Sequence, residues 1–225
     1  MYHSIGNPAD HRLAIRVPPE NFRRQLDEIA ARGYFTKTVS DIIKGGAAAD
    51  RTRDIALTFD DGYKDNVTEV AAAIAARGMK ATFFVTTSYI DGKSRNAWTD
   101  GSRRVYMDWD DVARLGRMGF EIGSHMIDHI ALSDLDDEAA LAQLKGSKDE
   151  ILSKTGIDPK TISYPYGKLN GRIVSLVKKA GYTGGCSTIK GLNGVSVDPY
   201  LLRRTEVDGY DTIHDFRAKL SGYYD

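Results

Sequence analysis

Apolar residues along the chain fall into two alternating rhythms. Phe22, Leu26, Ile29 and Ala30 recur at helical spacing behind Pro18-Pro19 and stop at Gly33, the pattern of a helix opened by proline and closed by glycine. Residues 34–39 then read as a strand, and residues 54–59 form a compact apolar run that ends in acidic residues. An Ala-rich helix is expected over 66–77, closed by Gly78, followed by an apolar strand over 80–86. The same unit recurs. Asp108 can cap a helix running to Met118, and residues 120–124 form a strand that abuts His125. Leu141, Leu144, Ile151 and Leu152 mark the next helix, with Gly146 a weak point inside it. A strand over 161–164, a helix over 172–180, short strands over 182–186 and 201–205, and a last helix over 212–220 complete the pattern. Strands separated by helices must run parallel, because parallel neighbours need a crossover connection. The expected fold is an α/β barrel or a doubly wound sheet, and either puts its chemistry at the carboxyl ends of strands.

The chain has 225 residues, enough for one ordinary domain spanning 1–225 that needs no disulfide to build a core. The single Cys186 could not form an internal disulfide in any case. Lys and Arg number 31 against 31 Asp and Glu, so there is no net field to attract nucleic acid or an anionic membrane. No apolar run approaches the roughly 18 residues of a membrane span. Met1-Tyr2-His3-Ser4 is not a secretion signal, so the chain as written reads as cytoplasmic, and as exported if a leader precedes it. Residues 47–53 read as a flexible surface connection.

Three clusters stand at predicted strand ends. Asp60-Asp61-Gly62 follows the strand 55–59; this is also the composition of a capping turn, but two adjacent carboxylates repel and call for a cation or a division of tasks. His125 and His129, two of only 5 histidines, follow the strand 120–124 at a spacing that lets both imidazoles face one point, as ligands at i and i+4 on a helical turn do. With Asp61 they form a His, His, carboxylate set, which suits hydrolytic zinc better than oxygenase iron, because the acid lies two strands earlier. Ser163-Tyr164-Pro165-Tyr166-Gly167 closes a third strand, and its rigid turn can hold backbone N–H groups toward a cavity. His214 falls on the polar side of the last helix and reads as solvated, and His11 carries no signal. Trp98, Tyr106 and Trp109, in or beside the long segment 88–107, suit a sugar-stacking role and a core role equally.

The order and context of Thr58-Phe59-Asp60-Asp61-Gly62, of His125 with His129, and of Tyr164-Pro165-Tyr166-Gly167 resemble the polysaccharide deacetylase family, carbohydrate esterase family 4 with its NodB-like domain. Tyr2-His3-Ser4-Ile5-Gly6 is similar to the start of that domain and Ala81-Thr82-Phe83-Phe84-Val85 to its second strand, so the likeness covers essentially the whole chain. The resemblance implies a distorted (β/α) barrel of about seven strands and metal-dependent removal of acetyl groups from N-acetylated glycans or saccharide precursors. It makes Asp60 the general base, Asp61, His125 and His129 the ligands of a divalent metal, zinc first and cobalt or another divalent ion as alternatives, and the Tyr166 N–H an oxyanion donor.

Departures from the family pattern lie in three places. No strand-borne His stands near the C-terminus as general acid, which directs attention to His3. Ser163 occupies the place of the Arg that orients the base, and Arg204, ahead of Arg203, is its expected replacement. Only Met1 precedes Tyr2-His3, so the first strand is expected to be nearly missing. Two other functions share the site: amide hydrolysis of a non-sugar, cyclic substrate, and glycan binding without catalysis, against which an intact Asp60 argues.

Overall fold

The computed structural model describes residues 1–6, 14–45, 53–92, 105–194 and 196–223. In chain order the elements are β1 (Ser4–Ile5), β2 (Arg16–Val17), α1 (Pro19–Ala31), β3 (Phe35–Lys37), α2 (Val39–Gly45), β4 (Asp54–Ala56), β5 (Thr58–Phe59), a π-helical turn Asn66–Val70 leading into α3 (Ala71–Ala75), β6 (Thr82–Val85), α4 (Trp109–Arg117), β7 (Glu121–Ser124), α5 (Asp137–Thr155), β8 (Thr161–Ser163), α6 (Gly171–Lys179), β9 (Gly184–Cys186) and α7 (Ile213–Leu220). The strands β5 to β9 form one sheet in sequence order, every pair parallel, as the alternation of strand and helix requires.

Hydrogen bonding continues past both edges and curls the sheet into a distorted barrel. On one side Leu202 bridges Cys186. On the other, Tyr2 bridges Phe59: its N–H donates to Thr58 O at 2.8 Å, and its carbonyl accepts from Asp60 N at 3.0 Å. Met1 O accepts from Val207 N at 2.9 Å and the Met1 amino group donates to Thr205 O at 2.9 Å, so Met1–His3 lies between β5 and the extended segment 205–207. Counting that segment and Met1–His3 with the five sheet strands accounts for the seven expected. Met1 and Tyr2 are thus paired on both sides. Beneath the catalytic end, Tyr2 stacks on Phe59 and Phe59 on Phe83 at 5.3 and 5.0 Å, with Phe22 edge-on to the first two rings.

The structure differs from the sequence reading in particular elements. The expected strand 34–39 shortens to β3, because Thr38 and Asp41 cap each other and start α2. The apolar run 54–59 divides into β4, which pairs with β3, and β5, which joins the main sheet. The late strand 201–205 is reduced to a single bridge at Leu202. Asp108 caps α4 as expected, in a reciprocal capping box with Asp111. Gly146 does not break α5; a Cβ there would meet Ile127 Cδ1 at 2.6 Å, so the glycine lets the loop after β7 pack on the helix. Trp109 belongs to the core, Tyr106 stacks on Tyr63, and Trp98 and most of the 47–53 connection lie outside the described residues.

Polar side chains close the amino end of the barrel. Glu121 accepts from Ser40 N, Ser40 Oγ, Thr82 Oγ1 and Thr161 Oγ1, joining the first residues of β6, β7 and β8 to the start of α2. Near the other end, Ser4 Oγ donates to Asp65 Oδ2 at 2.5 Å, tying β1 to the turn before α3. Burial is the main influence on Asp65 and raises its pKa from 3.8 to about 6. A carboxyl raised in the folded state loses stability as pH rises from the unfolded value through the folded one. Asp65→Asn should therefore raise the urea midpoint at about pH 7.5, with the gap closing toward about pH 4. A gap of equal size at both values would show that charge at Asp65 is not the cause.

Candidate active site

Asp60 and Asp61 continue β5 at its carboxyl end, and both are buried. The sharp turn there is held by Asp61 at φ 75° and Gly62 at φ 82°. Left-handed backbone is costly for a residue with a Cβ, and among the described residues it recurs at Asp91, Met126, His129 and Tyr166, the last three in this region. These deviations turn the side chains of Asp61 and His129 toward a common point.

Asp60 is gripped from the far end of the chain. Arg204 donates from Nη1 to Asp60 Oδ1 and from Nη2 to Asp60 Oδ2, each at 2.8 Å. Ser163 Oγ donates to Asp60 Oδ2 at 2.8 Å and accepts from Arg204 Nη2 at 2.7 Å. The guanidinium is fixed in turn by Ser187 O, by Thr58 Oγ1 and by the face of Phe84. Burial would push the Asp60 pKa up, but Arg204, with His125 and His3 adding to it, holds the carboxyl well below the usual carboxylate range. Of the two arginines considered, Arg204 is the one buried against Asp60, while Arg203 is exposed. Ser163, noted in the sequence as a departure, supplies a hydrogen bond that the sequence reading did not foresee.

Asp61, His125 and His129 each offer a ligand atom, all within 4.8 Å of one another. Asp61 Oδ1 lies 3.5 Å from His125 Nε2 and 3.4 Å from His129 Nε2, and it is buried with no hydrogen-bond partner. His125 Nδ1 is 2.8 Å from the Ser163 carbonyl oxygen, which can only accept, so the proton sits on Nδ1 and Nε2 is left as a lone-pair donor. Burial and the neighbouring His125 lower the His129 pKa to about 4, which keeps that ring neutral. An orphaned carboxylate oxygen facing two imidazole nitrogens fits a divalent cation. The histidine spacing works through a loop and not through the helical turn anticipated. Gln143 of α5 holds that loop: Gln143 Oε1 accepts from Ile127 N and Asp128 N, and Gln143 Nε2 donates to Asp128 Oδ2. Helical periodicity alone gives no sign of this clamp.

His3 and Tyr166 complete the surroundings. His3 Nδ1 lies 3.4 Å from Glu206 Oε1, and Tyr2 O, one residue earlier, accepts from Asp60 N, which sets His3 beside the Asp60–Asp61 turn. Tyr166 is 63% exposed and edge-on to His129 at 4.7 Å; among the described residues its N–H has no acceptor. His214 is exposed on α7, as expected.

Residues 47–185, more than half of the chain, match the polysaccharide deacetylase family. The chain belongs to the polysaccharide deacetylase family. Among curated relatives of this deacetylase, YxkH of Bacillus subtilis (strain 168) is 28% identical, over 92% of this chain and 70% of YxkH. The peptidoglycan-N-acetylglucosamine deacetylase PgdA of Listeria monocytogenes is 27% identical, over 72% of this chain and 33% of PgdA. The deacetylase PplD of Streptococcus pyogenes, solved in complex with acetate, superposes with a TM-score of 0.85 at 19% identity, covering 98% of this chain and 96% of PplD. A polysaccharide deacetylase from Bacillus cereus superposes with a TM-score of 0.81 at 21% identity, over 98% of this chain and 67% of that one. These two likenesses concern the barrel fold. Among the described residues no helix is long and apolar enough to cross a membrane.

Arg204 and Asp60 are buried as a pair, so removing one partner strands the other. Arg204→Ala should cost about 3 kcal/mol or more of unfolding free energy by chemical denaturation. The double variant Arg204→Ala with Asp60→Asn should be less destabilised than that single variant, and additive losses would contradict the pairing.

Proposed function

We propose that this deacetylase hydrolyses the N-acetyl group of amino sugars in a glycan, using Asp60 as base, His3 as acid and a divalent metal, zinc first, held by Asp61, His125 and His129. The observation that carries the reading is the division of the paired carboxylates: Asp60 is saturated by Arg204 and Ser163, whereas Asp61 Oδ1 faces the two imidazoles without a hydrogen bond. The names of relatives such as the peptidoglycan-N-acetylglucosamine deacetylase support the substrate class.

A divalent cation held by the three ligands would supply Lewis acidity toward an amide carbonyl and toward water. The protein's own groups do the rest. Asp60, kept ionised by Arg204, takes the proton of the attacking water as the new C–O bond forms. A carboxylate so strongly ionised is a weak base, so it accepts the proton only from an acidified water and does not retain it. The Tyr166 N–H donates to the carbonyl oxygen as negative charge collects there. His3, its Nδ1 side facing Glu206, gives a proton to the sugar nitrogen as the C–N bond breaks, leaving acetate and a free amine.

Acetate release from N-acetylglucosamine oligomers tests this directly. Metal-stripped protein should be inactive and should regain activity with zinc or cobalt, and Asp60→Asn should stay inactive in both states. Stoichiometric metal uptake without acetate release would reject the deacetylase reading while leaving the ligands. His3→Ala should lower kcat by about 10²-fold or more with KM and metal affinity little changed. Full activity in His3→Ala would remove His3 from the mechanism.

A further inference from the structure

Outside the metal site, the rim of the barrel carries a polar groove of about 400 Å³ between the first half of α1 and the turn that leads into α7. Asn21, Arg24, Gln25, Tyr210, Asp211 and Thr212 line it. Met1 hydrogen-bonds on either side of Glu206 in a parallel pattern, so residues 208–212 lie beyond the carboxyl end of the 205–207 segment. The groove therefore opens at the same end of the barrel as Asp60 and Asp61.

Gln25 is only 2% exposed. Tyr2 Oη donates to Gln25 Oε1 at 3.1 Å, which fixes the amide and leaves Gln25 Nε2 on the side of the groove that Gln25 lines. An amide held by its acceptor, with its donors open to the groove, is placed to meet the acceptor oxygen of a ligand in exchange for water. Arg24 beside it has no acidic partner among the described residues. Tyr210 is 65% exposed, yet its turn is rigid: Tyr210 N donates to Asp208 Oδ1, Asp208 N to Asp211 Oδ2, and Asp211 binds Lys219 Nζ at 2.6 and 2.7 Å. Since Lys219 neutralises Asp211, the groove keeps one unpaired charge, too little to select a polyanion. A flat exposed ring beside neutral amides matches a pyranose, whose C–H face covers the ring while its hydroxyls accept from the donors.

We propose that this groove is a second saccharide-binding site, one sugar unit stacked on Tyr210 with ring or hydroxyl oxygens accepting from Gln25 Nε2 and Arg24. It extends the reading of the substrate as a glycan, and it rests on that reading for its biological use. A polymer held here as well as at the metal is retained by two contacts, which raises its effective concentration at the site.

Cellohexaose is a suitable probe because it has no acetyl group, so its binding to the metal-loaded full chain is independent of turnover. Titration calorimetry should show Tyr210→Ala weakening cellohexaose binding about tenfold and Arg24→Ala weakening it several-fold, with Tyr210→Phe close to the parent. The side-chain amide signal of Gln25 should shift during an NMR titration. Absence of cellohexaose binding, equal affinities in parent and both alanine variants, or a Gln25 signal that does not move would each overturn the site. If N-acetylated glycans release no acetate while cellohexaose still requires Tyr210, the groove stands and the deacetylase reading falls. Acetate release combined with binding indifferent to Tyr210 and Arg24 removes the groove alone.

Discussion

The bidentate contact between Arg204 and Asp60 joins residues 144 positions apart, and most of the catalytic end is arranged around it. A carboxylate buried to this depth is tolerable only with an opposite charge and a full set of donors. Arg204 supplies both, and Ser163 completes the set. Because Arg204 is itself anchored by the Ser187 carbonyl and the Phe84 ring, the ion pair ties β5, β8, β9 and the 201–207 segment at one point. Asp61, the next residue, is then left to answer to the two histidines.

Ser163 serves both halves of this arrangement. Its hydroxyl is shared between Asp60 and Arg204, while its carbonyl sets the proton on His125 Nδ1 and so frees Nε2. Asp60 and the His125 imidazole are therefore positioned by one residue of β8, and movement of that strand end would disturb both. The polar plug around Glu121 at the opposite end of β6, β7 and β8 holds the strands in register without entering the site. The two ends of the barrel thus divide the work: one fixes the strands, and the other spends left-handed backbone to aim side chains.

Much of the site was legible because its residues directly follow apolar strand runs. Asp60 and Asp61 after 55–59, His125 after 120–124 and Tyr166 after 161–164 sit at the carboxyl ends of parallel strands, and a parallel sheet gathers such ends into one place. Arg204 could be named as the partner of Asp60 from a gap in the motif, but its choice over Arg203 follows only from which side of the extended chain faces inward. Gln143, Glu206 and the Gln25 groove were not legible. Each acts across helices or chain ends whose relative placement no local pattern encodes. The helix α2 was missed although its Thr38 and Asp41 cap was present in the sequence, because the β-favouring run before it masked the start.

Alternation of apolar period and the chemistry at strand ends determined, from sequence alone, the parallel α/β architecture, the paired carboxylates and the histidine set. Those properties depend on spacing along the chain, and spacing is what a sequence records. Tertiary structure alone decided which carboxylate is saturated and which is left open, which imidazole nitrogen faces the site, and how Met1–His3 is held between β5 and 205–207. Such outcomes depend on distances between groups far apart in the chain. Desolvation makes those distances decisive, because a buried charge or amide must find its partner within hydrogen-bond reach or remain open to a ligand.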